Sequence, residues 1–172
     1  EEKPVLDMRE ADTVFFQYGY AKGDVEKAMF EADKVFVESF QTGYQEQAYL
    51  ETQGLIASLE NGRMMVRGSM QCPYYVHAAV AKALGCKEDD VRIIQDVTGG
   101  GFGGKEAFPS ILACQVAVAA QKAGKPVKII FGRREDMEFT SKRHPSLCNY
   151  KVAVKDGIIT GMDIDVVFNS GA

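Results

Sequence analysis

The stretch Gly99-Gly100-Gly101-Phe102-Gly103-Gly104-Lys105-Glu106 places five glycines around one phenylalanine. It follows a strand-like segment at 91–97 and precedes a helical pattern at 109–123. Glycine permits positive φ angles and lets a ligand approach the backbone, and free N–H groups at the start of the following helix favour an anion or an oxo group. A flexible turn is the alternative, but a turn rarely needs five glycines. We therefore predict that residues 99–106, the glycine loop, contact a ligand.

Outward from this loop, turn residues and side-chain periodicity divide the chain into short helices and strands. Asp24 is expected to cap one helix, and Gly85 and Gly124 are expected to end two others. The pairs Asn61-Gly62 and Asp156-Gly157 predict tight hairpin turns. The predicted helices are 25–32, 73–84, 109–123 and a turn at 134–139, and the predicted strands are 34–40, 55–59, 64–69, 91–97, 127–131, 148–154 and 158–168. This pattern predicts an α+β fold with mixed β-sheets and helices packed on them. The helix at 109–123 is apolar almost all round and is expected to be buried.

Composition limits the class of protein. The chain has 172 residues, 46% of them hydrophobic and 26% charged, which is typical of a globular protein. It lacks an apolar run of about 20 residues and a signal peptide, so we expect a cytoplasmic protein without a membrane partner. The net charge of −4 argues against nucleic acid as the main partner. With two histidines and four scattered cysteines, a His-rich metal site is not expected, and we predict no metal-ligating residue.

Two nucleotide-binding motifs also match the glycine loop. Gly99, Gly101 and Gly104 satisfy G-x-G-x-x-G within a strand–helix–strand pattern, which leaves a dinucleotide-binding module as an alternative. However, no acidic residue stands at the tip of strand 127–131 to bind a ribose. Residues 99–105 also fit G-x-x-x-x-G-K, but Glu106 follows where a P-loop carries the Mg²⁺-binding hydroxyl, and its carboxylate would repel phosphates. A nucleoside triphosphatase is therefore excluded.

The glycine loop closely resembles that of the molybdenum hydroxylases, the family of xanthine dehydrogenase and aldehyde oxidase. Gln71 precedes Glu106 by 35 positions, and a family glutamine lies at the matching offset. Cys72 departs from the asparagine or threonine that is commoner in the family. The resemblance covers residues 18–172. Its other segments are 22–28, 45–51 (Q-E-x-x-Y-L-E in the family), 134–137 (R-x-E-D-M) and 143–145 (R-H-P).

The resemblance implies a molybdopterin-dependent oxidoreductase. In this family the molybdenum cofactor hydroxylates an electron-poor carbon of a purine or an aldehyde with water as the oxygen source, and electrons leave through iron–sulfur clusters and FAD on other domains or subunits. Residues 1–20 are then a linker or lead-in, and residues 21–172 are the N-terminal half of the molybdopterin-binding domain, excised from a longer protein. The family's general base and a substrate-binding arginine lie beyond residue 172. We therefore predict that the isolated chain holds no cofactor and is inactive.

Four residues match functional positions of the family. Gln71 resembles the glutamine whose amide donates to an oxo ligand of molybdenum. Phe102 and Gly103 resemble loop residues whose backbone approaches the metal and the pterin, although Phe102 could equally be a hydrophobic plug under the loop. Glu106 matches the purine-contacting, catalytic glutamate of xanthine dehydrogenases, although an acid favoured by the helix dipole is the alternative. Xanthine or a related purine is therefore the expected substrate, and an aldehyde or aromatic-thioester oxidoreductase is the alternative.

Overall fold

The computed structural model describes residue 14 and residues 16–170, and it confirms the α+β prediction. Two compact units are formed. The three-stranded unit contains the described residues up to Gln45 and from His144 onward, and the four-stranded unit is Glu46–Arg143. The elements in chain order are α1 (Val25–Glu31), β1 (Lys34–Thr42), β2 (Gly54–Glu60), β3 (Arg63–Gly68), α2 (Pro73–Leu84), β4 (Val91–Gln95), α3 (Phe108–Ala123), β5 (Val127–Ile130), α4 (Arg133–Phe139), β6 (Ser146–Lys155) and β7 (Ile158–Phe168).

The three-stranded unit is an antiparallel sheet with the order β1-β6-β7, and α1 packs against it. The predicted cap of α1 is confirmed, because Asp24 Oδ1 accepts from the Lys27 N–H at 2.9 Å. The predicted hairpin is also confirmed, with Asp156 at φ 51° and Gly157 at φ 74° between β6 and β7. A Cβ on Gly161 would lie 2.7 Å from that of Ala28, so glycine at this position allows α1 to approach β7.

The four-stranded unit contains a mixed sheet with the order β4-β3-β2-β5. Asn61 and Gly62 have φ angles of 49° and 80°, as a type I′ hairpin turn between β2 and β3 requires. After α2, strand β4 pairs parallel to β3, whereas β5 pairs antiparallel to β2. Helices α2 and α3 pack together over this sheet and bury the main core. That core includes Leu55, Ala57, Met64, Val66, Val76, Val80, Leu112, Val116, Ala117, Ala120 and Phe131.

Helix ends were predicted more accurately than helix burial. Gly85 and Gly124 adopt left-handed conformations at the ends of α2 and α3, as expected for C-terminal glycines. The prediction of a buried α3 holds for one face only. Leu112 and Val116 are buried, whereas Ile111 on another face is 54% exposed. The apolar sequence of α3 therefore does not bury every face of this helix among the described residues.

The strand order argues against the dinucleotide-binding alternative. Strands β4 and β5 flank α3 in sequence, but they are the two edges of the sheet, with β3 and β2 between them. A dinucleotide-binding unit instead uses a right-handed crossover between strands that lie close together in a parallel sheet. The strand, helix and strand predicted around the glycine loop are therefore confirmed as elements, but their order in the sheet does not support the alternative of a dinucleotide-binding module.

The predicted linker at 1–20 lies mostly outside the described residues and stays a prediction. Residues 14 and 16–20 have no regular secondary structure. In the part of the chain that the structure describes, no helix combines the length and apolar character needed to cross a bilayer.

Candidate functional site

The glycine loop lies between the end of β4 and the start of α3, and its backbone turns sharply. Gly100, Phe102 and Gly103 have φ angles of 97°, 49° and 91°. The Gly104 N–H donates to the Gly101 carbonyl at 2.7 Å and closes the turn around Phe102. At φ 91° a residue with a side chain is strained, so the conformation of Gly103 requires glycine.

Gln71 precedes α2 and is tied to the loop by three hydrogen bonds. Its Oε1 accepts from the backbone N–H groups of Gly103 and Lys105, both at 3.1 Å. Its own backbone N–H donates to the Lys105 carbonyl at 2.7 Å. Two N–H donors at Oε1 determine which way round the amide lies. The Nε2 group is therefore left as a donor, without a protein partner among residue 14 and residues 16–170.

Gly103 presents an open backbone face beside Glu106. A Cβ at Gly103 would meet only Glu106 Oε1, at 4.0 Å. The Glu106 side chain is exposed and has no hydrogen-bond partner within the described residues. The structure thus brings Gln71, Gly103 and Glu106 together at one loop.

Phe102 is not a plug beneath this loop, because its side chain is 77% exposed. The predicted alternative of a buried Phe102 is therefore wrong in this structure. A Cβ on Gly100 would lie 3.4 Å from Cε2 of the Phe102 ring. The side chain is accessible to a ligand or another protein segment.

A buried lysine anchors the inner side of the loop. The Lys105 side chain is fully buried, and its Nζ lies 2.9 Å from Glu51 Oε2 and 3.0 Å from Ser69 Oγ. Glu51 Oε2 also accepts from the Gly99 N–H at 2.7 Å. Burial opposes ionisation of Glu51, but the hydrogen bonds from Lys105 and Gly99 outweigh it, so the pKa of the Glu51 carboxyl is lowered. Lys105 points inward, which agrees with excluding a P-loop role for this lysine.

A second buried network supports the end of the loop. The hydroxyl of Tyr49 donates to Asp136 Oδ1 at 2.6 Å, and Asp136 Oδ2 accepts from the Gln53 N–H at 2.6 Å. Gln53 Nε2 donates to the Tyr49 hydroxyl and to the Gly104 carbonyl, both at 2.9 Å. Burial, followed by the hydrogen bond to Asp136, raises the pKa of Tyr49 well above its ordinary value. The network connects α4 to the glycine loop.

Sequence reasoning recognised the segments that contain these anchors but assigned them no roles. Glu51 ends the Q-E-x-x-Y-L-E segment, Lys105 lies in the glycine loop and Asp136 lies in the segment at 134–137. The only hint in the sequence was that these charged residues lie within segments that resemble the family. Lys105 is the least expected of them, because lysine is almost never fully buried unless it is paired.

The exposed side of the loop suits a bulky ligand that makes polar contacts. It offers the Gln71 amide as a donor, the Glu106 carboxylate as an acceptor and the Gly103 backbone without a side chain. Among the residues described, no three His, Cys, Asp or Glu side chains are grouped so that they could hold a metal ion.

The sequence of the chain matches the family model of a molybdopterin cofactor-binding domain over residues 8–172. The chain belongs to this molybdopterin-binding family. An indole-3-acetaldehyde oxidase of Arabidopsis thaliana is 36% identical over 99% of the chain and 14% of the relative. A xanthine dehydrogenase of Emericella nidulans is 37% identical over 99% of the chain and 13% of the relative. The chain thus spans a small part of the length of these curated relatives.

Solved structures show the same fold. An aldehyde oxidoreductase of Desulfovibrio gigas superposes with a TM-score of 0.75 at 25% identity, covering 85% of this chain and 16% of that one. A CO dehydrogenase of Oligotropha carboxidovorans gives a TM-score of 0.70 at 27% identity, covering 83% of this chain and 18% of that one. The recognition of the molybdenum hydroxylase family from the glycine loop is confirmed, as is the α+β fold of its cofactor-binding domain.

The residues of the loop fit a molybdopterin group. The face of Gly103 that a Cβ would fill is open, apart from Glu106 Oε1 at 4.0 Å. The Gln71 donor is directed by two hydrogen bonds at its oxygen. Close backbone approach and an oriented amide donor suit a cofactor that carries oxo ligands.

Proposed function

We propose that the glycine loop faces the cofactor and the substrate in a molybdenum-dependent hydroxylase that acts on xanthine or a related purine. The observation that carries this proposal is the convergence of three predicted residues on one loop. Gln71 Oε1 is bonded to the Gly103 N–H at 3.1 Å, and Glu106 Oε1 lies 4.0 Å from the position of a Gly103 Cβ. Residues 71 and 106 are far apart in sequence, and the fold places both beside Gly103.

The cofactor would supply the redox and oxygen-transfer chemistry when bound. Gln71 would donate its free Nε2 group to an oxo ligand, since its Oε1 is already occupied by two backbone donors. Gly103 would allow the backbone to touch the group without a side chain between them. Phe102, exposed at the tip of the turn, would cover an adjacent face of the cofactor or substrate and exclude water.

Glu106 would bind the substrate. Its carboxylate can hydrogen-bond a ring N–H of a purine, and it can stabilise the charge that spreads over the heterocycle during the reaction. It lies two positions before Phe108, the first residue of α3, which has 16 residues. Attachment beside a long, packed helix keeps the carboxylate close to the loop, as a substrate-orienting group requires.

An aldehyde-oxidising enzyme is the second candidate. The Arabidopsis oxidase and the Emericella dehydrogenase are almost equally similar to this chain, at 36% and 37% identity. Similarity over the chain therefore does not separate the two substrate classes. Glu106 favours the purine, since its position resembles the purine-contacting glutamate of xanthine dehydrogenases.

The remaining parts of the enzyme would come from outside this chain. We propose that the intact protein pairs this chain with the rest of the molybdopterin-binding domain, which supplies the general base. Iron–sulfur and FAD domains or subunits would carry electrons away from the cofactor. The chain 1–172 purified alone is expected to retain no molybdopterin, which metal and pterin analysis would check.

Substitution of Glu106 in the intact protein tests the substrate class. Glu106→Ala and Glu106→Gln should lower kcat/KM for xanthine by about 100-fold or more, since an oriented group that acts in the transition state is lost. Turnover of an aldehyde should change by less than about threefold. Molybdenum content should stay at the wild-type level in both variants. Glu135→Ala, which removes an exposed acid from α4, is the matched control and should leave both activities unchanged.

Equal losses for the purine and the aldehyde would contradict a purine-binding role of Glu106. A loss for the aldehyde alone would favour the second candidate. Wild-type intact protein that contains neither molybdenum nor pterin would overturn the proposed function as a whole.

A further inference from the structure

The two ends of the glycine loop meet at a single carboxylate. Glu51 Oε2 accepts from the Gly99 N–H at 2.7 Å, at the start of the loop, and from Lys105 Nζ at 2.9 Å, near its end. The Glu51 N–H also donates to the Gly99 carbonyl at 3.2 Å. Closing a glycine-rich segment is costly in conformational entropy, so one group that joins both ends has a large effect on its order.

The Lys105 ammonium group has few polar groups other than Glu51 within reach. The Lys105 side chain is 0% exposed, and the other polar group near its Nζ is Ser69 Oγ at 3.0 Å. The Tyr49 ring centroid lies 4.8 Å from the same nitrogen. A buried ammonium group needs a counter-charge, and Glu51 is the acid that contacts it. The direction of the Lys105 side chain is therefore set by Glu51.

The backbone of the same lysine holds Gln71. The Lys105 N–H donates to Gln71 Oε1 at 3.1 Å, and the Lys105 carbonyl accepts from the Gln71 N–H at 2.7 Å. Lys105 is thus held through its side chain by Glu51 and bonded through its main chain to Gln71. A displacement of its side chain would move both of these main-chain groups, and the N–H is one of the two donors that orient the Gln71 amide.

We propose that Glu51 and Lys105 form a positioning pair, which holds the glycine loop and, through the Lys105 backbone, aims the Gln71 amide at the ligand. The catalytic meaning of this pair rests on the proposed function, but the mechanical connection from Glu51 to Gln71 does not. Neither side chain of the pair needs to touch substrate or cofactor. Among the described residues, the Glu51 carboxylate bonds the Gly99 N–H and Lys105 Nζ, whereas Gln71 bonds the main chain of Lys105.

The test is hydrogen–deuterium exchange of the intact protein, resolved to single residues in the loop. The informative amides are the backbone N–H groups of Gly103 and Lys105. Both donate hydrogen bonds to Gln71 Oε1, and neither donates to Glu51. Amides on the buried face of α3, from 112 to 120, report on the fold itself. The variant is the double substitution Glu51→Gln/Lys105→Met, because Glu51→Gln alone would leave the buried Lys105 ammonium group without its counter-charge and weaken the whole fold.

The double variant should keep the thermal midpoint of the wild type. Its α3 amides should exchange at rates within about twofold of the wild-type rates. Its Gly103 and Lys105 amides should exchange at least about tenfold faster than in the wild type. The matched control is Lys151→Met/Asp163→Asn in the three-stranded sheet. It removes an exposed ion pair in which Lys151 Nζ and Asp163 Oδ2 are 3.8 Å apart. This control should leave the loop amides unchanged.

Two results would overturn the positioning role. Exchange of the Gly103 and Lys105 amides within about twofold of the wild type would show that the pair does not hold the loop. Equal acceleration of the loop and α3 amides would show that the pair supports the fold in general. Metal and pterin analysis of the wild-type protein tests the proposed function separately, since the exchange experiment works equally well on protein without cofactor.

Discussion

Removing a single oxygen atom tests the buried network under the glycine loop. Tyr49→Phe keeps the ring, which is 0% exposed, and deletes the hydroxyl that donates to Asp136 Oδ1 at 2.6 Å. It also removes the acceptor of the 2.9 Å hydrogen bond from Gln53 Nε2. Gln53 Nε2 retains its hydrogen bond to the Gly104 carbonyl. The main loss is therefore the hydrogen bond to Asp136.

The expected cost is about 2–3 kcal/mol of unfolding free energy. A hydrogen bond to a charged group contributes about 1.5–3 kcal/mol, and Asp136 is fully buried, so water does not replace the lost donor. Phe fills nearly the same space as Tyr, so the cost of a cavity is small. The Gln53 N–H remains on Asp136 Oδ2 at 2.6 Å, which keeps the loss below that of an unpaired carboxylate.

Urea denaturation of the chain 1–172, followed by far-UV circular dichroism, measures this cost. Tyr74→Phe is the matched control, since Tyr74 is 85% exposed and its hydroxyl is free to meet water. The control should change the free energy of unfolding by less than about 0.5 kcal/mol. A Tyr49→Phe variant as stable as the Tyr74→Phe variant would refute the idea that the network stabilises the four-stranded unit.

The pH dependence adds an independent check on the same residue. The folded-state pKa of Tyr49 is raised above the ordinary value of 10.0, because burial and then the hydrogen bond to Asp136 favour the neutral phenol. The contribution of Tyr49 to stability is therefore complete below pH 10 and is lost as the pH rises above it. The difference in stability between the wild type and Tyr49→Phe should narrow in that alkaline range. A constant difference would mean that the phenol is not held neutral by folding.

Two further predictions concern the loop and its anchor. The folded-state pKa of Glu51 is lowered, so its contribution is complete above the ordinary value of 4.5 and is lost as the pH falls through the folded-state pKa. The stability difference between the wild type and Glu51→Gln, measured in urea from about pH 6 to about pH 3, should therefore shrink. Gly104→Ala would place a Cβ 2.5 Å from Tyr49 Cε1 and should cost about 1–3 kcal/mol by overpacking. Gly132→Ala, with nothing within 4 Å, should cost less than about 0.5 kcal/mol in the same urea assay.

Local chemistry was enough to predict most elements of the fold. Asn61-Gly62 predicted its hairpin because few residue pairs adopt two positive φ angles, and Gly85 predicted a helix end for the same reason. The pairing of distant strands was not predicted. Phe40 of β1 pairs with Cys148 of β6, more than a hundred residues away, and no local pattern encodes that partnership. One sequence shows which segments are strands but not how a sheet is ordered.

In the candidate site, too, some residues could be singled out from the sequence and others could not. Gln71 and Glu106 were singled out as candidates because their spacing and the glycines between them resemble a known family, and their roles stay predictions. The residues that hold the loop from inside, Glu51 and Asp136, could not be assigned, because their roles depend on contacts across 48 and 83 residues. Lysine side chains are mostly exposed, so its residue type gave no sign that the structure buries Lys105 completely.

Three of the five glycines of the loop allow side chains to pack closely against its backbone. A Cβ at Gly99 would lie 2.6 Å from Glu51 Cβ, one at Gly104 would lie 2.5 Å from Tyr49 Cε1, and one at Gly101 would overlap the Gln71 amide. Each of these glycines therefore makes room for a side chain that hydrogen-bonds to the loop or packs beneath it. A free chain of this composition would be disordered, and the hydrogen bonds to Glu51 and Gln71 offset that entropy. The loop is thus held by contacts within the chain, which reduces the ordering cost of binding and leaves the Gly103 face open.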